Sequence, residues 1–137
     1  MEDPLHREIL EEHARSPGHR ASLEQQPTGE SVWTSPKTGN VCSVAIVIEG
    51  ERITGVQAKV EGSALAIACS SLMGSAVEGI TVEEALGLAK SVIEFLEDGK
   101  ETSLPGDLVA YESIVRFPER HDCAMLAWRA LVLALKS

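Results

Sequence analysis

The spacing of apolar residues changes along the chain, and each spacing predicts a different element. Asp3-Pro4 is typical of a helix N-cap followed by a first helical position. Leu5, Ile9, Leu10 and His13 then fall at helical spacing, which continues to Arg15. Residues 16–31 are polar and contain Pro17, Gly18, Pro27 and Gly29, so this segment predicts a loop.

Apolar residues that alternate along one face follow, and they predict an antiparallel hairpin. The first strand has its apolar positions at Cys42, Val44, Ile46 and Ile48, and the second has them at Ile53, Val56, Ala58 and Val60. The segment 49–51 predicts the tight turn between them. Trp33 is placed on a preceding edge strand.

Helical spacing returns after the hairpin. The run from Ala64 to Val77 is apolar on nearly every side, which predicts a buried helix. Thr81 and Glu84 have the spacing of a capping box, and Asp98-Gly99 predicts the end of that helix. A short helix is predicted from Leu108 to Ile114, and a last helix after Pro118. This order predicts an α+β fold in which a small antiparallel sheet packs against helices, with residues 1–137 as a single domain.

Composition and charge narrow the function. The chain has 137 residues, and 21 acidic against 12 basic residues give a formal charge of −9. Such a charge disfavours nucleic acid and anionic membrane surfaces as partners. No apolar run is long enough to span a membrane, and no apolar stretch follows the acidic first residues as a secretory signal requires. We therefore expect a cytoplasmic protein that binds neither membrane nor nucleic acid.

Cysteine, histidine and carboxylate residues remain as candidate chemistry, because phosphate-binding loops, dinucleotide fingerprints and nucleophile elbows are absent. The densest group is 120–123, Arg-His-Asp-Cys, expected just ahead of the last helix. Cys123 there is a metal ligand, a reactive thiol or a partly buried packing residue. Cys42 and Cys69 are expected to pack in the core. The other histidines, expected to be solvated, are His6, His13 and His19.

The chain resembles the IscU/NifU N-terminal family, in its SufU branch, almost from end to end. Six segments carry the resemblance: Leu5-His6-Arg7-Glu8-Ile9-Leu10 with His13 and Ser16-Pro17; Ser35-Pro36-Lys37-Thr38-Gly39-Asn40; Glu61-Gly62-Ser63-Ala64-Leu65; Ser71-Leu72-Met73; Gly106-Asp107-Leu108; and Phe117-Pro118 with Arg120, Cys123-Ala124 and Leu126-Ala127-Trp128. The resemblance implies the SufU/IscU-like fold and a role in iron–sulfur cluster assembly.

The resemblance also implies a ligand set that this chain has largely lost. Family members hold zinc or a nascent cluster with three cysteines and an aspartate. The matching positions here are Thr38, Asn40, Ser63 and Cys123. The residue before the last cysteine is His in the IscU branch and usually Lys in the SufU branch, whereas here it is Asp122. Because hydroxyls and amides are poor ligands for soft metals, the substitutions indicate a degenerate metal site.

Other ligands are possible only through rearrangement. Cys123 is the first candidate ligand, and Asp122, His121, Cys42 and Cys69 are weaker ones. A site built from the three cysteines is strained, because Cys42 and Cys69 are displaced from the matched positions. Without metal, hydrogen bonds must hold the segments together. Ser63 is expected to cap the helix from Ala64, and the Asn40 side chain to close a turn over residues 38–40.

Three functions are consistent with these residues. The first is a divergent member of the family that acts as a non-enzymatic adaptor or regulator and binds a cysteine desulfurase or another iron–sulfur assembly protein. The second is a scaffold or zinc-dependent sulfur acceptor with a rearranged ligand set that includes Cys123. The third is an interaction protein that reuses the fold without a metal.

Overall fold

The computed structural model describes residues 3–136 as five α-helices and one three-stranded sheet. The elements in chain order are α1 (Pro4–Arg15), β1 (Gly29–Thr34), β2 (Val41–Glu49), β3 (Arg52–Glu61), α2 (Ala64–Val77), α3 (Val82–Asp98), a 3₁₀ turn (Gly106–Ala110), α4 (Tyr111–Ile114) and α5 (Pro118–Lys136). This is the predicted α+β layout. Within these residues, no helix combines the length and apolar character that crossing a bilayer requires.

The sheet is antiparallel throughout, with the strands in the order β1-β2-β3. The hairpin between β2 and β3 pairs Glu49 with Arg52 and turns over Gly50 and Glu51. Gly50 has a φ of 65°, a left-handed conformation that glycine adopts without steric cost. The inner face of the hairpin is apolar and packs on α2 and α5; its buried residues include Cys42, Val44, Ile46, Val56 and Ala58.

Two buried helices complete the core. Most of α2 is inaccessible, including polar Ser70 and Ser71, as its all-round apolar pattern predicts. In α5, Trp128 is fully buried and donates its indole N–H to the Tyr111 hydroxyl at 2.9 Å, so its polar atom is satisfied. The capping box at Thr81 and Glu84 and the left-handed Gly99 at the end of α3 are both confirmed.

Two predicted boundaries were wrong. The loop expected over residues 16–31 ends sooner, because β1 begins at Gly29, which pairs with Ile46. The last helix begins at Pro118 itself, because the first turn of a helix needs no donor from its first N–H. The group 120–123 therefore lies inside α5 rather than ahead of it.

The prediction of solvated histidines was also wrong. His6 is buried, and its Nδ1 lies 2.7 Å from Ser113 Oγ. His13 Nδ1 lies 2.7 Å from the Oγ of Ser71, and His19 Nε2 lies 3.3 Å from Glu78 Oε2. The apolar stripe of α1 is narrow, so these histidine–serine hydrogen bonds supplement it and anchor the helix to α2 and α4.

Candidate functional site

Three segments distant in the sequence meet at one end of the sheet. They are the β1–β2 loop 35–40, the N-terminus of α2 at Ser63, and the second turn of α5. Asp122 and Cys123 are adjacent on α5, and consecutive helical residues point about 100° apart. The Asp122 side chain therefore faces the loop, while the Cys123 side chain faces both the end of the loop and the start of α2.

Asp122 binds the loop through two hydroxyls. Ser35, which is 2% exposed, donates its hydroxyl to Oδ2 of Asp122 in a very short hydrogen bond, and Thr38 Oγ1 donates to the same oxygen at 3.2 Å. The Ser35 Oγ accepts the backbone N–H groups of Lys37 and Thr38 at 3.1 and 3.2 Å. The turn is thus folded around Ser35, and Asp122 fixes it to α5.

Cys123 binds the two remaining matched positions. Asn40 Nδ2 and Ser63 Oγ each lie 3.5 Å from the Cys123 sulfur and donate to it. Ser63 also accepts the N–H of Ala66 at 3.1 Å, which confirms it as the N-cap of α2. The expected role of the Asn40 side chain was wrong: the hydroxyls of Ser35 and Thr38 close the turn, and the Asn40 amide contacts the thiol instead.

All four positions that match the family's ligands therefore lie in one hydrogen-bonded cluster, joined through Asp122 and Cys123. We call Ser35, Thr38, Asn40, Ser63, Asp122 and Cys123 the α5 clamp. Its donors to Asp122 and Cys123 are neutral hydroxyl and amide groups. The clamp connects the same three segments that a metal ion with ligands at these positions would connect.

Gly62 leaves the space in which Asn40 reaches Cys123. A Cβ atom at Gly62 would lie 2.5 Å from Asn40 Oδ1 and 2.6 Å from its Cγ. We expect Gly62→Ala to displace the Asn40 side chain from Cys123 and to lower the free energy of unfolding by about 1–2 kcal/mol, the usual cost of overpacking. Urea unfolding followed by circular dichroism measures the change.

A matched glycine provides the control for that variant. Gly87 lies within α3, and a Cβ there would have no heavy atom within 4 Å apart from its chain neighbours and the nearby backbone of its own helix. Gly87→Ala is expected to stabilise the chain by up to about 1 kcal/mol, because alanine favours a helix. Equal destabilisation by both substitutions would contradict the close approach at Gly62.

The other two cysteines do not join the clamp. Cys42 and Cys69 are fully buried in the core, and burial raises the pKa of each thiol to about 12. His121 is turned to the α4–α5 connection, where its Nε2 lies 2.7 Å from the Val115 carbonyl oxygen. Among residues 3–136, no three His, Cys, Asp or Glu side chains are grouped so that they can hold a metal ion together.

We expect iodoacetamide at pH 8 to modify only Cys123 in the folded chain. Cys123 is half-buried, whereas both core thiols are shielded and protonated at that pH. Intact-mass measurement should show about one adduct when folded and about three in denaturant, one for each cysteine. Rapid modification of Cys42 or Cys69 in the folded chain would contradict their placement.

The same pKa shifts predict how the folding stability changes at alkaline pH. The unfolded thiols ionise near pH 9, while the folded ones stay neutral up to about 12. The unfolded state therefore loses protons first, and stability is expected to fall as the pH rises from 9 towards 12. Replacing Cys69 by Ala should reduce this slope in thermal unfolding.

The donor chemistry of the clamp does not fit a resident zinc ion or iron–sulfur cluster. Such sites use thiolate, imidazole or carboxylate ligands. Here the matched positions supply two hydroxyls, one amide and one thiol, and the amide and the Ser63 hydroxyl already donate hydrogen bonds to that thiol. Asp122 adds one carboxylate, which leaves two anionic donors at most.

Comparison with models of protein families identifies the family of this chain. The model of the NifU-like N-terminal domain matches residues 5–137. The chain belongs to the NifU-like N-terminal domain family. A protein called the iron–sulfur cluster assembly scaffold protein IscU, from Streptococcus pyogenes serotype M1, is 30% identical over 135 residues, which cover 96% of this chain and 83% of that protein.

Two further proteins are similar over nearly the whole chain. The zinc-dependent sulfurtransferase SufU of Bacillus subtilis strain 168 is 27% identical over 132 residues, covering 94% of this chain and 88% of SufU. A crystal structure of a putative iron–sulfur cluster assembly scaffold protein for the SUF system, from Fervidobacterium islandicum AW-1, superposes with a TM-score of 0.83 at 22% identity and covers 93% of this chain and 94% of the other. That structure shows the shared fold.

Two residues at this site, the clamp member Ser35 and the neighbouring Gly62, were not predicted as site residues. Ser35 lies in a segment that resembles the family but is not a matched ligand position, and Gly62 was not singled out. The spacing of Ser35 to the N–H groups two and three residues later is the local signal of a serine turn. Its bond to Asp122, 87 residues away, has no local signal.

Proposed function

We propose that this chain takes part in iron–sulfur cluster assembly as a non-enzymatic adaptor or regulator that holds neither zinc nor a cluster. It docks on a cysteine desulfurase or another assembly protein with the end of the molecule that carries the α5 clamp. The observation that carries the proposal is the hydrogen-bonded clamp at the four matched positions. Family membership over nearly the whole chain supports the process.

The clamp explains how the docking end stays ordered without metal. Asp122 holds the 35–40 loop, and Cys123 holds Asn40 and the start of α2. A partner that recognises the shape of this end therefore meets a formed surface. Because the donors in the clamp are neutral, that surface presents the carboxylate of Asp122 rather than a bound cation.

The experiment is a pull-down of the purified chain with a cysteine desulfurase encoded in the same genome. A metal-binding scaffold of the family serves as the positive control, and both are tested with and without chelator. We expect the desulfurase to be retained equally in both conditions. The proposal would be contradicted if the chain retains neither the desulfurase nor any other assembly protein under conditions in which the scaffold retains the desulfurase.

A second function is favoured by the exposure of one thiol. Cys123 is half-buried, whereas the other two cysteines lie in the core. As a sulfur acceptor, its thiolate would attack the outer sulfur of a desulfurase persulfide, leaving a persulfide on Cys123 and a thiolate on the donor. Transfer of labelled sulfur that Cys123→Ser abolishes would support this function over the adaptor role; transfer that Cys123→Ser leaves unchanged would exclude it.

A further inference from the structure

A groove opens beside the α5 clamp, between the 35–40 loop and the first turns of α5. Its volume is about 540 Å³, which is within the usual range for binding sites. Trp33, Pro36, Pro118 and Met125 form its apolar lining, and Met125 is only 4% exposed. Asp122 and Thr38 border it on the side of the clamp.

The charge of this groove is unbalanced. Its titratable lining consists of the three carboxylates of Glu97, Glu119 and Asp122, the two cations of Lys37 and Arg129, and the imidazole of His121. Arg129 pairs with Glu97, and its guanidinium lies 5.9 Å from the centre of the Trp33 ring. The whole chain carries −9. Negative charge thus remains next to apolar surface, which is complementary to a cation on an apolar stem.

The two carboxylate oxygens of Asp122 differ in the hydrogen bonds that they accept. Ser35 and Thr38 both donate to Oδ2. In the part of the chain that the structure describes, no Lys or Arg nitrogen lies within 4.0 Å of this carboxylate. Oδ1 therefore retains its capacity to accept from outside, while the clamp holds the carboxylate in place.

We infer that the groove receives an arginine side chain presented by a partner protein. The guanidinium donates to Oδ1 of Asp122, and the methylene stem packs on Pro36 and Pro118, the exposed apolar residues of the lining. Arginine suits this site better than lysine, because a planar and weakly hydrated guanidinium binds carboxylates and stacks on aromatic rings. This inference rests on the proposed docking role and names the group that the docking end receives.

The test uses Nα-acetyl-arginine amide, with Nα-acetyl-citrulline amide as the neutral probe of the same shape. Amide and indole shifts in ¹H–¹⁵N spectra report binding residue by residue. We expect saturable shifts at Trp33, Thr38 and Asp122, and at least about fivefold weaker binding of citrulline, because it lacks the charge-assisted bond. Raising the salt from about 50 to 300 mM should weaken only the arginine probe.

Variants separate the groove from the general negative charge. Asp122→Asn keeps an acceptor for Ser35 and Thr38 but removes the charge, so it should abolish the preference for arginine over citrulline. Glu83→Gln, on an exposed carboxylate of α3, loses the same charge and should change nothing. Trp33→Leu leaves the clamp intact and should weaken arginine binding about threefold or more, since it removes the aromatic wall.

Three results would overturn the inference. The first is equal binding of the two probes, and the second is a set of shifts spread over the acidic surface instead of the groove. The third is an equal loss of arginine binding in Asp122→Asn and Glu83→Gln. The desulfurase pull-down separates it from the proposed function. Retention that Asp122→Asn leaves unchanged refutes the arginine site alone, whereas arginine-specific shifts without any retention refute the docking role alone.

Discussion

Replacing Thr38, Asn40 and Ser63 together by Cys, Asp and Cys is expected to produce a chain that purifies with about one tightly bound zinc ion, the stoichiometry of one four-ligand site. The three positions already converge on Asp122 and Cys123. The substitutions would supply two thiolates and one carboxylate beside Cys123. Elemental analysis and thermal unfolding with and without chelator measure the gain, which should include a chelator-sensitive rise in Tm.

The control for this variant removes the one thiol that the natural site retains. Adding Cys123→Ser to the triple substitution leaves three of the four ligands, and we expect zinc to be lost during purification. A folded triple variant that remains free of zinc would show that the matched positions do not lie as the clamp places them. Zinc binding that survives Cys123→Ser would place the ligands elsewhere.

Asp122→Ala should have the largest effect of any single substitution in the clamp. It removes the acceptor of Ser35, whose hydroxyl is buried, and of the more exposed Thr38. A buried donor left without a partner costs about 1–3 kcal/mol, so we expect about 2 kcal/mol lower free energy of unfolding. Denaturant unfolding measures the loss, and the amide shifts of residues 35–40 should change with it.

Two substitutions calibrate that effect. Asp122→Asn keeps one carbonyl acceptor, so it should cost less than about 1 kcal/mol. Glu101→Ala removes an exposed carboxylate from the segment after α3 and should change stability by no more than about 0.5 kcal/mol. If Asp122→Ala behaves like Glu101→Ala, the bond from Ser35 does not hold the loop.

Local patterns predicted most of the fold because the signals lie close together in sequence. Asp3 caps α1 and bonds the N–H of Leu5 two residues later, and the capping box of α3 spans four residues. The hairpin has period-two alternation and a two-residue turn. Pro118 was less informative, because proline fits both the residue before a helix and its first turn.

The histidines show what local pattern misses. His6 and His13 recur along α1 at positions that face other helices, and their serine partners lie 107 and 58 residues away. Nothing near either residue in the sequence signals that partner. Burial of a polar side chain depends on a distant group that satisfies it, so it follows from tertiary packing alone.

The sequence likewise predicted one part of the site and not the rest. The family resemblance predicted which four positions to inspect and that their ligands were lost. Hydrogen bonds between the segments and the Ser63 cap were also predicted, but the bond from Ser35 to Asp122, which lies outside the matched set, was not. The clamp depends on a turn folded around Ser35, on the space above Gly62, and on the rotation of two neighbouring residues along α5.

We propose that hydrogen bonds, and not a metal ion, hold together the three segments that meet at the matched positions of this chain. The most direct measurement is the zinc and iron content per chain of protein purified anaerobically without chelator. We predict well under one metal ion per chain in a folded protein whose Tm does not change with chelator. About one tightly held ion per chain that Cys123→Ser removes would contradict the claim, because it would require the ligands to leave the clamp.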